Sequence, residues 1–125
     1  MKRILVIEDD GEVRHLLQVL LTRAGYEVVE AEDGKAGIHA YRTQPCDLVI
    51  TDLIMPRKEG LETIVDLRRE FPDLRVIAIS GGSRAGQVDY LNAAKLCGAS
   101  HIFRKPFDNQ ELLASVRDLL EQDQP

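Results

Sequence analysis

The chain is poor in cysteine, in excess basic charge and in long apolar runs. Its two cysteines, Cys46 and Cys97, form no CxxC and stand far apart. That spacing reads as two reduced core thiols in a reducing compartment rather than a disulfide or metal pair. A net charge of −5 argues against a nucleic-acid surface, which is normally basic. Basic residues precede the first apolar run, "ILVI", but four residues cannot make a signal peptide or a membrane span. A cytoplasmic location without membrane contact is the expectation. Repeats, low-complexity segments and linkers are also missing. What remains is a chain of 125 residues, 44% apolar and 30% charged, enough for one globular domain with a real core.

Short apolar runs alternate with helical periodicity along the chain. Ile4 to Ile7 is apolar throughout, as in a strand buried on both faces. Val13, Leu16, Leu17, Leu20 and Leu21 then recur at helical spacing, and Gly25 closes that helix. "YEVVEA" is a second strand, residues 34–43 a weaker helix and "CDLVITD" a third strand. Leu61, Ile64 and Val65 mark a helix that stops before Pro72. "LRVIAIS", a helix over 84–96 closed by Gly98, and "SHIFRK" follow. The last helix has Asp108 as N-cap with Glu111 three residues on, and Leu112, Leu113, Val116, Leu119 and Leu120 on one face. Five strand–helix alternations imply a parallel sheet covered by helices on both faces.

In such sheets, ligands bind at the carboxyl ends of the strands. The residues there are Glu8, Asp9 and Asp10 after the first strand, Asp52 after the third, Ser80 after the fourth and Lys105 after the fifth. Two like charges about 5 Å apart repel by about 3 kcal/mol at an effective dielectric near 20. A bare acidic cluster is therefore costly, and a hard divalent cation such as Mg²⁺ removes the cost. No cysteine or histidine stands at these strand ends, which disfavours zinc. A lysine, a hydroxyl and a cation suit a phosphoryl group, and Asp52 is the best candidate nucleophile, forming an acyl phosphate. Taken singly, each residue has an ordinary reading: Asp and Ser as turn or cap residues, Lys as a solvated charge. Their conjunction at strand ends is what points to chemistry.

These stretches resemble the receiver domain of two-component response regulators over essentially the whole chain. The likeness lies in "ILVIEDD", "DLVITDLIMP", "EGLE", "VIAISGG", "GASHIFRKPF" and the final amphipathic helix. It implies a five-stranded parallel sheet in the order 2-1-3-4-5 with five helices on both faces, the flavodoxin-like receiver fold. It also implies that Asp52 accepts a phosphoryl group from a sensor histidine kinase or histidine phosphotransfer protein. Glu8, Asp9, Asp52 and the backbone carbonyl of Ile54 would hold Mg²⁺ (or Mn²⁺). Ser80 would bond the phosphoryl group and reposition the following loop, Lys105 would pair with a phosphate oxygen, and the Lys105–Pro106 bond would be cis. Such a domain is not an enzyme with an external substrate. It catalyses its own phosphoryl transfer and slow dephosphorylation, then switches the binding of a downstream protein, as a monomer or a phosphorylation-dependent homodimer, with no direct contact to nucleic acid.

The sequence departs from the family pattern in places. Ile102 stands where receivers often carry a switch Tyr or Phe, so signalling is expected to run through the loop after Ser80 more than through the fifth strand. "GGSRAG" follows Ser80, read as a flexible loop in which Ser83 caps the next helix. Ile54 and Gly82 occupy positions that tune hydrolysis of the acyl phosphate in the family. An apolar Ile54 cannot orient an attacking water, which implies slower self-dephosphorylation than in relatives with a polar residue there. Arg57 and Lys58 are read as a solvated loop, and His15 as a helix-surface residue on the helix where receivers meet their histidine-bearing partner. With no further segment after Gln124 and Pro125, the expectation is a stand-alone receiver over residues 1–125. The alternatives are a fragment of a longer regulator, a small Mg²⁺-dependent phosphatase with an Asp nucleophile, a nucleotide- or flavin-binding module, and a degenerate receiver.

Overall fold

The computed structural model describes residues 1–53, 60–80 and 98–121. Ile54, Arg57, Lys58, the glycine-rich stretch after Ser80, the helix expected over 84–96 and Cys97 lie outside the described residues. In chain order the elements are β1 (Arg3–Ile7), α1 (Gly11–Arg23), β2 (Glu27–Ala31), α2 (Gly34–Thr43) and β3 (Leu48–Asp52). Then come α3 (Gly60–Glu70), β4 (Val76–Ser80), β5 (His101–Arg104) and α4 (Asn109–Glu121). The four helices are those among the described residues. All five strands run parallel, in the order β2-β1-β3-β4-β5.

Strand periodicity divides the core into two layers, because successive side chains leave a strand on opposite faces. Leu5, Ile7, Val49, Val76 and Ala78 pack with Ile38 and Tyr41 of α2 and with Ile64 and Leu67 of α3. Ile4, Val6, Leu48, Ile50, Ile77 and Ile79 point the other way, onto Leu17 and Leu21 of α1 and onto Leu112, Val116 and Leu120 of α4. Strands β1, β3 and β4 are therefore covered on both sides, which explains their unbroken apolar runs. Two residues of the helical apolar patterns lie at the surface: Leu16 and Val65 are 43% and 37% exposed. On α3 the buried positions among the described residues are Thr63, Ile64 and Leu67. Among the described residues, no helix is long and apolar enough to cross a membrane.

Local chemistry sets the helix ends. Asp10 caps α1, its side chain accepting from the amides of Glu12 and Val13. Asp33 caps α2 through the amide of Ala36, and Asp108 caps α4 through those of Gln110 and Glu111. Gly25, which follows α1, and Gly98, which precedes β5, have φ of +100° and +107°, the left-handed region that favours glycine. Gly37 has a different role. A Cβ there would lie 2.7 Å from Ile7 Cγ1, so its missing side chain lets α2 seat directly on β1.

Candidate functional site

Register brings the strand-end residues together. Ile7 of β1 pairs with Thr51 of β3, so Glu8 emerges beside Asp52. Asp52 pairs with Ile79 and Ser80 with Arg104, which places Ser80 and Lys105 at the same sheet edge. The amide of Lys105 donates to the Ser80 carbonyl at 2.8 Å, continuing the ladder one residue past β5. The peptide bond between Lys105 and Pro106 is cis.

The resulting pocket is acidic and mostly buried. Glu8 is 1% exposed, Asp52 5% and Ser80 1%, whereas Asp9 is exposed to solvent. Lys105 Nζ donates to Glu8 Oε1 and, at 3.2 Å, to Asp52 Oδ2. Burial pushes the Glu8 carboxyl up to about 8. The hydrogen bond from Lys105 opposes this rise, and the neighbouring Asp52 carboxylate adds to it. For Lys105, burial disfavours the ammonium, but Glu8 and Asp52 more than offset it and its pKa is raised.

Glu8, Asp9 and Asp52 each present a carboxylate oxygen within 4.8 Å of the others. Glu8 Oε2 and Ser80 Oγ are buried without a hydrogen-bond partner among the described residues. A buried carboxylate oxygen in that state is costly and calls for a ligand. An all-oxygen donor set with one solvent-facing carboxylate fits a hard divalent cation such as Mg²⁺. The unpartnered Ser80 hydroxyl is available to donate to an anion beside that site.

The structure also places the other residues singled out in the sequence. Ile102 is half-buried on β5, opposite Ala78, and packs against the α2–α3 layer. His15 is exposed on α1, and Pro106 is exposed after Lys105. Asp10 takes no place in the acidic cluster, because capping α1 occupies its side chain. Arg14 was missed in the sequence: its Nη1 donates to the Glu8 carbonyl at 2.8 Å. A basic residue one turn into the helix after an acidic strand end was the only signal for it.

The family model for the response regulator receiver domain matches residues 4–117. The chain belongs to the response regulator receiver family. The receiver is 33% identical over 120 residues to the transcriptional regulatory protein CpxR of Klebsiella pneumoniae, an alignment covering 96% of this chain and 50% of the relative. The chain thus spans about half the length of the curated relatives it matches. Its fold superposes with a TM-score of 0.88 on the crystal structure of a response regulator receiver domain protein from Clostridium thermocellum, at 27% identity, covering 98% of this chain and 96% of that one. It also matches the response regulator protein TrrA from Thermotoga maritima, a structure in complex with Mg(2+)-BeF. That match has a TM-score of 0.83 and 33% identity, covering 96% of this receiver and all of TrrA.

Proposed function

We propose that this receiver is a phosphoacceptor switch of a two-component phosphorelay, with Asp52 as the acceptor. The observation that carries the reading is the buried Asp52 carboxylate facing Lys105, flanked by two buried polar atoms, Glu8 Oε2 and Ser80 Oγ, that lack partners among the described residues. The donor is a phosphohistidine on a sensor histidine kinase or a histidine phosphotransfer protein. Glu8, Asp9 and Asp52, with the Ile54 carbonyl, would hold Mg²⁺ (or Mn²⁺), which when bound supplies charge neutralisation for the phosphoryl oxygens. The TrrA complex with Mg(2+)-BeF supports that assignment.

An Asp52 carboxylate oxygen forms the new bond to phosphorus as the bond from phosphorus to the donor imidazole nitrogen breaks. The imidazole keeps that electron pair and takes a proton from solvent. Lys105, already held at the pocket by Glu8 and Asp52, turns its ammonium to a phosphoryl oxygen. Ser80 donates its unpartnered hydroxyl to another, which couples the modification to the end of β4 and the chain beyond. Burial of Asp52 keeps water away from the acyl phosphate. The domain turns over no external substrate. Its output is altered binding of a downstream protein, as a monomer or a phosphorylation-dependent homodimer, in the reducing cytoplasm that the buried free thiol of Cys46 suits.

Incubation with Mg²⁺ and a small acyl-phosphate donor, followed by intact mass measurement, tests the reading. The expected result is a gain of one phosphoryl group that Asp52→Ala abolishes. A modification that survives in Asp52→Ala, or steady hydrolysis of phosphomonoesters, would overturn it.

A further inference from the structure

The peptide group joining Glu8 to Asp9 lies between two of the residues that would hold the cation, and its orientation fixes how both carboxylates point. Glu8 is anchored on its amide side, where its N–H donates to the Ala31 carbonyl at the end of β2 at 3.0 Å. On the other side, Arg14 Nη1 donates to the Glu8 carbonyl at 2.8 Å. The same guanidinium reaches Glu30 on β2, with Nε 3.4 Å from Oε1. Arg14 projects from α1, the helix capped by Asp10, so its backbone is held independently of the pocket.

The two ends of this arrangement differ in environment. Glu8 is buried and further fixed by Lys105. Asp9 is exposed, and its carboxylate has no hydrogen bond among the described residues, so only its backbone places it. A guanidinium presents several donors in a rigid fork and can hold a carbonyl and a carboxylate together; an ammonium cannot reproduce that geometry.

We propose that Arg14 is a positioning residue for the cation site: by gripping the Glu8 carbonyl it fixes the Glu8–Asp9 peptide and thereby aims Asp9 into the cluster. The contact to Glu30 orients the guanidinium and is secondary. Groups that orient metal ligands without touching the metal typically change affinity by about 10–100-fold when removed. The inference rests on the cation-dependent reading above.

The test is Mg²⁺ titration of the full chain, followed by calorimetry and by thermal unfolding with and without EDTA, for wild type, Arg14→Met, Arg14→Lys and Glu30→Gln. Arg14→Met is expected to weaken Mg²⁺ binding by about tenfold or more. Arg14→Lys should restore part of that loss, and Glu30→Gln should stay within about twofold of wild type. A wild-type Mg²⁺ affinity in folded Arg14→Met would overturn the proposal. So would an equal loss in Glu30→Gln, which would make Arg14 a mere staple between α1 and β2. If EDTA melts show Arg14→Met unfolded, Arg14→Lys against Glu30→Gln decides, since only the former alters the grip on the carbonyl. Failure of the wild type to bind Mg²⁺ would refute the cation reading itself, an outcome distinct from the others.

Discussion

Asp9 and Asp10 are adjacent carboxylates with opposite expected thermodynamics. Asp10 stabilises α1 by accepting from the Glu12 amide at 2.9 Å and the Val13 amide at 3.4 Å. The second bond is at the long limit, so the cap amounts to one good hydrogen bond. Replacing an Asp N-cap with Ala costs about 1 kcal/mol, a fall of roughly 4 °C in Tm for a domain of this size. That cost should be the same in Mg²⁺ and in EDTA. Asp9 contributes repulsion instead: its carboxylate oxygen lies within 4.8 Å of those of Glu8 and Asp52, and solvent screens the pairs because Asp9 is exposed. Asp9→Ala should leave the EDTA melt unchanged or slightly higher. Wild type in Mg²⁺ at ten times its Kd should gain about 1.4 kcal/mol by linkage, a gain that Asp9→Ala loses and Asp10→Ala keeps. Differential scanning fluorimetry of the three proteins with Mg²⁺ or EDTA, paired with phosphorylation by an acyl-phosphate donor, reads all of this. Loss of the Mg²⁺ shift in Asp10→Ala, or its persistence in Asp9→Ala, would refute the division of roles.

Three further expectations follow from packing and burial. Gly37→Ala would place a methyl 2.7 Å from Ile7 Cγ1; overpacking of about 1–3 kcal/mol outweighs the gain of about 1 kcal/mol in helix propensity, so urea unfolding should show a net loss. A gain would mean that α2 does not sit tightly on β1. Burial pushes the Cys46 thiol up to about 11. In a Cys97→Ser background its alkylation at pH 8 should be roughly a hundredfold slower than in urea, and equal rates would contradict the burial. In metal-free protein the Glu8 carboxyl, at about 8 against 4.5 unfolded, makes the folded state bind the extra proton between those values. Its contribution is fully present below about pH 4.5 and is lost as pH rises through 8, so the stability of wild type relative to Glu8→Gln should decline over that range; parallel profiles would disprove it.

The fold was legible because the relevant signals are local. All-apolar runs of four or five residues, helical spacing between them and the caps Asp10 and Asp108 suffice to specify strand–helix alternation. Chain chirality then leaves few topologies. Element ends shifted by one or two residues where only pairing decides them: "YEVVEA" contributes its strand from Glu27, and "CDLVITD" from Leu48. The apolar stripes run past the buried surface at Leu16 and Val65, since helical period identifies a face but not how far the neighbouring element extends over it. Of the pocket, the strand-end rule found Glu8, Asp9, Asp52, Ser80 and Lys105.

The amino-acid sequence alone therefore determined which residue types end which strands, and that a parallel sheet would gather them. Tertiary structure decided what they do to one another. Register set Glu8 beside Asp52 and brought Lys105 from the far edge onto both, contacts that span 97 and 53 residues and leave no local trace. Burial, a property of the assembled layers, separates Glu8 from exposed Asp9 although they are adjacent in the chain. Arg14 meets the Glu8 carbonyl six residues back across the β1–α1 turn, and the path of that turn decides the contact.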